Sequence, residues 1–193
     1  MLTAHFFYGH LFAALWFGWA LYWWVLARNS KRSVRSEPRG SRLLHVVPLI
    51  IAAMLLGAPR LGIPALHGRF LPWMPMFFWA GAAITVAGLL FSVWARRHIG
   101  TNWSGIVTIK EGHELITSGP YAIVRHPIYT GLLLGFAGSA LAVGEWRGVL
   151  AFVIVFWALW RKARYEERWM HEQFGAAYTE YSKHVAALIP GIL

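Results

Sequence analysis

Five apolar segments most restrict what this chain can fold into. They cover residues 4–27, 44–58, 73–94, 128–143 and 147–161. A helix needs about 20 apolar residues to cross a bilayer, and several of these segments approach or exceed that length. Backbone polar groups in lipid must be satisfied internally, so spanning segments form helices or closed barrels. We therefore expect an all-α integral membrane protein with about five transmembrane helices.

The composition agrees with a membrane protein and excludes some chemistry. Hydrophobic residues make up 58% of the 193 residues. Cysteine is absent, which excludes disulfides, thiolate metal sites and a cysteine nucleophile. Aspartate is also absent, so every acidic role falls to glutamate. We attribute the net charge of +10 to membrane topology and anionic lipid headgroups rather than to nucleic-acid binding.

The distribution of Lys and Arg predicts the orientation of the chain. Fifteen of these 18 residues lie in the loops 28–43 and 95–127 and in the tail from residue 161. Because cytoplasmic loops are enriched in Lys and Arg, we expect these regions inside and the N-terminus outside. The first apolar segment lacks a preceding basic region and is too long for a signal peptide, so we expect it to be mature structure.

This orientation predicts two regions. Residues 1–94 hold three transmembrane helices and the basic loop 28–43, which we interpret as solvated. Residues 95–193 hold a cytoplasmic catalytic loop, a helical hairpin at 128–161 and a C-terminal helix broken near Gly175. Small residues let membrane helices approach closely. They are predicted to do so at Gly81, Gly88, Gly131, Gly135 and Gly138.

Polar residues suited to chemistry concentrate in three clusters on the predicted cytoplasmic face. Each also has a simpler interpretation, as a helix entry, a topology-determining charge or a surface ion pair that contributes about 0.3–0.5 kcal/mol. Because all three lie on one face, we interpret them as one site. The clusters are Asn102-Trp103-Ser104 with Glu111–Leu115; the stretch Gly119–Gly131; and Lys162 with Glu166 and Glu167.

We expect no metal in this site. His113 and His126 with Glu166 or Glu167 have the ligand types of a zinc set. The short-spaced His-Glu-x-x-His motif is absent, however, as are a Gly-rich phosphate loop and a nucleophile elbow around Ser104. The sequence therefore favours neither metal-assisted hydrolysis nor serine hydrolysis.

A longer pattern joins the second and third clusters and runs to the end of the chain. Its parts are Gly119-Pro120-Tyr121, Arg125-His126-Pro127-x-Tyr129-x-Gly131, Glu166-Glu167, Phe174-Gly175-x-x-Tyr178-x-x-Tyr181 and Ile189-Pro190. In this combination, over roughly residues 95–190, the chain resembles the isoprenylcysteine carboxyl methyltransferase family. The resemblance implies an integral membrane enzyme that uses S-adenosylmethionine and methylates a carboxylate on a lipid-like acceptor entering from the bilayer. No obligate protein partner is evident.

The resemblance also assigns residues. The family's substrate-side arginine falls near Lys162, with Arg161 adjacent, and we group Arg125 with them as candidate catalytic cations. An upstream polar cofactor contact of the family falls near Ile106, whose side chain is apolar. The family's cofactor-binding positions fall on His113, Glu114, Leu115, Ile116, Tyr121, His126, Pro127, Ile128, Tyr129 and Glu166.

Three alternatives stay open at this point. The C-terminal pattern also resembles the catalytic half of sterol reductases, which use NADPH but are usually much longer chains. A phospholipid amine fits as methyl acceptor, which would make the protein a phospholipid N-methyltransferase. The third alternative is a non-catalytic membrane protein that binds a lipid or a protein partner.

Overall fold

The computed structural model describes residues 2–27, 33–57, 62–103, 108–110 and 114–192. The described residues of each of the five apolar segments lie in a helix, except for residues 73 and 74, which precede α3. A further short helix follows Gly175, where a break is predicted. Two short strands lie in the loops before α2 and after α3. The helices are α1 Leu2–Ala27, α2 Arg39–Gly57, α3 Pro75–Ile99, α4 Pro127–Val143, α5 Trp146–Phe174 and α6 Ala176–His184; the strands are β1 Ser33–Ser36 and β2 Thr108–Lys110.

The helix lengths confirm an all-α integral membrane protein. Among the described residues, α1, α2 and α3 are long and apolar enough to cross a membrane, whereas α4 is apolar but has 17 residues. Helix α5 has 29 residues. It joins the fifth apolar segment, at 147–161, to a polar half at 162–174. The polar half contains Lys162, Glu166 and Glu167, which therefore lie beyond the apolar segment.

Glycines hold α4 tightly against α3. A Cβ built on Gly131 would lie 2.5 Å from the carbonyl oxygen of Gly88, and one on Gly138 would lie 2.5 Å from that of Gly81. No side chain fits at such distances, so the two backbones touch at both crossings. The predicted close approach is confirmed at these four positions. The N-terminal end of α4, which carries the His-Pro pair, is thereby fixed to α3.

Two tryptophans attach α1 to this pair of helices. The indole nitrogen of Trp16 donates to Ser139 Oγ at 3.1 Å, and that of Trp19 donates to Ser92 Oγ at 2.8 Å. Each bond satisfies a polar group that would otherwise be costly in an apolar environment. The aromatic residues of α1 therefore have an inward-facing part, which includes Trp23 stacked on Trp19 with ring centroids 4.4 Å apart.

At the C-terminal end of α4, the turn between α4 and α5 contacts the end of α2. Gly144 adopts the left-handed conformation, with φ at 65°, which lets the chain reverse between α4 and α5. Arg147 then donates to the carbonyl oxygens of Leu55 and Leu56 at 2.9 and 3.1 Å, and to Glu145 at 2.7 Å. The last turn of α2 is thus held against the start of α5.

The basic loop 28–43 contains a strand and the start of α2, which its composition does not predict. Its residues Ser33–Ser36 pair antiparallel with Thr108–Lys110, and α2 already begins at Arg39. The pairing brings the loop before α2 next to the loop after α3. Only a contact across more than 70 residues of sequence decides this arrangement, so local composition gave no sign of it.

Candidate functional site

A cavity of about 350 Å³ lies between α1, α2, α4, α5 and the loop that follows α3. The structure brings nine of the ten predicted cofactor residues together in its wall. His113 lies outside the described residues, as do Ser104 and Ile106. The nine are Glu114, Leu115, Ile116, Tyr121, His126, Pro127, Ile128, Tyr129 and Glu166.

His126 occupies the centre of the polar wall. It immediately precedes α4 but makes no side-chain cap hydrogen bond to that helix. Its ring lies instead between two glutamates, with Nδ1 3.5 Å from Glu166 Oε2 and Nε2 3.3 Å from Glu167 Oε1. The ring also stacks on Tyr129, with centroids 5.4 Å apart and planes inclined by 5°. The helix-entry interpretation therefore describes the backbone of His126 but not its side chain.

The charges in this cluster support one another. Burial disfavours the imidazolium, but the contacts with Glu166 and Glu167 outweigh it and raise the pKa of His126. Burial likewise disfavours the Glu166 carboxylate, but the hydrogen bond with His126 and the charge of Lys162 outweigh it, so the pKa of Glu166 is lowered. Tyr129 adds a hydrogen bond of 2.5 Å to Glu166 Oε1. These contacts thus favour an ionised carboxylate beside an imidazolium in the cavity wall.

Lys162 lines the same cavity from α5 and is 8% exposed. Its Nζ lies 4.0 Å from Glu166 Oε1 and 5.2 Å from the centre of the Tyr129 ring. It is therefore not the surface ion pair that its i, i+4 spacing with Glu166 allows. Arg161 points elsewhere, donating to the Ser41 carbonyl oxygen at 3.4 Å and to Ser41 Oγ at 3.3 Å.

Arg125 is bound by protein groups on several sides. Its Nε and Nη2 donate to Glu167 Oε1 at 2.8 and 2.5 Å, and its Nη1 donates to the carbonyl oxygens of Ser182 and Val185. Its backbone N–H donates to the Ala186 carbonyl oxygen at 2.8 Å.

The segment 182–188, here called the C-terminal strap, also binds the residues after Arg125. The backbone N–H of His126 donates to the Ala187 carbonyl oxygen at 3.0 Å. Thr130 Oγ1 donates to that of Leu188 at 2.6 Å. The strap therefore holds the Arg-His-Pro entry from behind the cavity.

Sequence analysis missed a buried pair at the start of α2. His45 Nε2 lies 3.3 Å from Glu37 Oε1, and their side chains are 3% and 1% exposed. The charges of Lys162, Arg161 and Glu166 exert electrostatic effects on His45. Glu37 follows β1 directly, so the pair ties the small sheet to the helices beside the cavity. The position of His45 four residues before Leu49, on the face of α2 that lines the cavity, was the available signal.

Aromatic residues complete the wall. Trp19 and Trp23, spaced four residues apart on α1, line the cavity together with Trp103. Tyr181 donates to the Tyr121 carbonyl oxygen at 2.6 Å. Burial, partly offset by the charge of Arg125, raises the pKa of Tyr181 to about 12. Tyr181 therefore serves as a neutral hydrogen-bond donor.

Among the described residues, no three His, Cys, Asp or Glu side chains cluster as a metal site would require.

Comparison with known proteins places the chain in a family. The family model described as phospholipid methyltransferase matches residues 76–177. Protein-S-isoprenylcysteine O-methyltransferase B of Arabidopsis thaliana is 28% identical over 127 residues, which are 63% of this chain and 64% of the relative. Protein-S-isoprenylcysteine O-methyltransferase of Schizosaccharomyces pombe is 35% identical over 94 residues, 47% of this chain and 40% of the relative.

A relative with a different name matches a longer region. Cobalt-zinc-cadmium resistance protein CzcN of Cupriavidus metallidurans is 30% identical over 148 residues, 75% of this chain and 60% of the relative. The chain thus spans less than two thirds of the length of each of these three relatives. Since the family model matches more than half of the chain and covers α3, α4, α5 and the cavity loop, the chain belongs to the phospholipid methyltransferase family.

Proposed function

We propose that this protein is a membrane methyltransferase that transfers the methyl group of S-adenosylmethionine to a carboxylate on a lipid-bearing acceptor. The observation that carries the proposal is the ionic cluster of His126, Glu166 and Lys162 in the wall of a cavity that also has apolar residues. Family membership and the isoprenylcysteine methyltransferases among the relatives support it.

The residues around the cavity fit S-adenosylmethionine. This cofactor carries a sulfonium and an ammonium cation, a carboxylate and a purine. The ionised Glu166 suits a cationic group, and the aromatic wall suits the purine. Both ring nitrogens of His126 face glutamates, so His126 contributes by holding Glu166 in place. A volume of about 350 Å³ lies within the usual range for small-molecule sites. When bound, the cofactor supplies an electrophilic methyl group.

Lys162 is the proposed acceptor-binding residue. A carboxylic acid is ionised at neutral pH, so a carboxylate acceptor needs no general base. What it needs is alignment and removal of water, since the nucleophile loses reactivity when it is hydrated. Lys162 supplies a buried cation to orient the carboxylate. Leu49, Leu132 and Leu159 line the same cavity and suit the hydrocarbon next to it.

The other two predicted cations have proposed positioning roles. The side chain of Arg125 donates its hydrogen bonds to Glu167 and to the C-terminal strap. We therefore propose that Arg125 holds His126 in place. Arg161 binds Ser41 and holds α2 against α5 beside the cavity.

A binding titration tests the proposed function directly. We expect purified protein in detergent to bind S-adenosylmethionine and not NADPH. Glu166→Gln removes the charge with little change in shape and should weaken binding about tenfold or more, as expected for loss of a hydrogen bond to a charged group. Glu180→Gln is the matched control, because Glu180 is an exposed glutamate away from the cavity. Binding of NADPH alone would contradict the proposal and favour a reductase.

The orientation is proposed with the N-terminus outside and the cavity loop and C-terminus cytoplasmic. The pairing of β1 with β2 supports a common side for residues 35 and 110. The bridge between Arg69 and Glu145 likewise supports a common side for the two turns at the far end. Reporter fusions at positions 35, 66, 110 and 193 should read inside, outside, inside and inside. An outside signal at position 110 would contradict this topology.

A further inference from the structure

Asn102 is a polar cavity residue with an unused hydrogen-bonding atom. It ends the short turn Gly100–Asn102 that follows α3 and lines the cavity. Its Oδ1 is buried and has no hydrogen-bond partner among the described residues. Most buried polar atoms in proteins are paired, because leaving one unpaired is costly. An unpaired amide oxygen in a cavity wall therefore indicates a ligand that donates a hydrogen bond.

The surroundings of Asn102 indicate what kind of ligand group it faces. Trp103 packs edge-on against Trp23 with ring centroids 5.8 Å apart, and Trp23 stacks on Trp19. All three rings line the cavity. Aromatic side chains of this kind are the platforms on which nucleobases stack. The wall around Asn102 thus combines flat apolar rings with one polar amide.

This aromatic wall is held in place. The guanidinium of Arg96 lies 4.4 Å from the centre of the Trp103 ring. Its nitrogens donate to the carbonyl oxygens of Gly100 and Leu26 at 2.7 and 2.9 Å, at the ends of α3 and α1. Trp19 is held by its bond to Ser92. Rings that are held in this way favour a defined orientation of a bound aromatic group next to the Asn102 amide.

The ionic cluster occupies other elements of the wall. Glu166 and Lys162 project from α5 and His126 precedes α4, whereas the aromatic wall comes from α1 and the end of α3. A ligand that uses both parts has a charged portion and a flat aromatic portion with a hydrogen-bond donor at its edge. Adenine meets the second requirement through its exocyclic amino group, and Asn is a side chain that recognises the edge of this base.

We propose that Asn102 is a cofactor-specificity residue whose Oδ1 accepts a hydrogen bond from the exocyclic amino group of adenine. The inference rests on the proposed function, since it assumes that the cavity binds an S-adenosyl compound. It adds the reason for which the site selects adenosine over other nucleosides. No group in the ionic cluster makes that distinction, because those residues suit the amino-acid part of the cofactor.

The test compares two ligands that differ only at this edge. S-adenosylhomocysteine carries the amino group, whereas S-inosylhomocysteine carries a carbonyl oxygen there and would face Asn102 Oδ1 with a second acceptor. Calorimetric titration of the wild-type protein should show at least about tenfold tighter binding of the adenosyl compound. Asn102→Leu should bring the ratio of the two dissociation constants close to one. Asn102→Asp keeps an acceptor and should keep the preference.

The ratio separates recognition from general damage, because both ligands report on the same folded fraction of each variant. Thr101→Val is the matched control: Thr101 is the exposed neighbour and should leave the ratio unchanged. Asn102→Ala replaces Asn102→Leu if the larger side chain prevents folding. If Asn102→Leu or Asn102→Ala keeps the wild-type ratio of dissociation constants, the inference is overturned. A wild-type preference for the inosyl compound would also overturn it. Binding of neither ligand by the wild type would instead overturn the proposed function and the inference with it.

Discussion

Replacing Lys162 by alanine is expected to lower kcat/KM for an S-isoprenylated cysteine acceptor by about 30-fold or more. The physical reason is the loss of a buried cation from the cavity wall, where the acceptor carboxylate would then be desolvated without a charge partner. The affinity for S-adenosylmethionine should stay within about threefold of wild type. Initial rates over a range of acceptor concentrations, with calorimetry for the cofactor, measure both quantities in the same preparation.

The competing explanation makes Lys162 a restraint on Glu166. Their contact is 4.0 Å long, whereas Tyr129 holds the same carboxylate oxygen at 2.5 Å. Glu166 should therefore keep its position without Lys162, and the hydrogen bond with His126, the largest of the causes that lower its pKa, remains. Weakened cofactor binding with normal acceptor kinetics in Lys162→Ala would reject the orienting role. Lys162→Arg should keep substantial activity, because it preserves the charge, and Lys183→Ala, at an exposed lysine, is the control.

Replacing Arg125 by alanine is expected to lower the free energy of unfolding by about 3–5 kcal/mol. The substitution leaves the carboxylate of Glu167 buried without its closest partner, and it removes the donors to the Ser182 and Val185 carbonyl oxygens. The C-terminal strap should then detach from the Arg-His-Pro entry. Denaturant unfolding in detergent measures the loss, and limited proteolysis should cut the variant within residues 182–188.

A matched surface pair gives the control for Arg125. Lys183 and Glu180 are 2.8 Å apart, but both are well exposed. Lys183→Ala should change the free energy of unfolding by less than about 1 kcal/mol. Arg125→Lys should fall between the two, since an ammonium cannot reach Glu167 and both carbonyl oxygens at once. Equal stability of Arg125→Ala and Lys183→Ala would show that the buried pair does not hold the strap.

The pair of Arg125 and Glu167 also predicts how the stability of the protein depends on pH. Burial opposes ionisation of Glu167, but His126 and Arg125 outweigh it and lower its pKa to about 2 from the ordinary 4.5. A depressed pKa means that the unfolded state binds the proton more readily. The stabilisation is therefore complete above pH 4.5 and is lost as the pH falls through about 2. Without Arg125 the folded-state pKa of Glu167 should rise, so the pH-dependent loss should be smaller and should end at a higher pH.

The sequence by itself determined the helices and the crossings between them. Hydrophobicity is a local property, so the five apolar segments mark their own positions. Gly88 and Gly131 mark a crossing because no larger residue fits between touching backbones. The pattern from Gly119 to Tyr181 also contains several of the residues that meet in the cavity, among them Tyr121, His126 and Glu166.

Only the tertiary structure decided which polar groups are partners and which remain unpaired. The hydrogen bond from Arg125 to Ser182 joins residues 57 positions apart in the sequence. The hydrogen bond from Trp16 to Ser139 joins residues 123 positions apart. Neither residue of such a pair carries a local sign of the other. The sequence grouped Arg125 with the candidate catalytic cations and placed Asn102 in a polar cluster after α3, without showing the partners of either. Packing surrounded Arg125 with acceptors and, within the described residues, left the Asn102 oxygen without a donor; those surroundings are the basis for the different roles that we propose for the two residues.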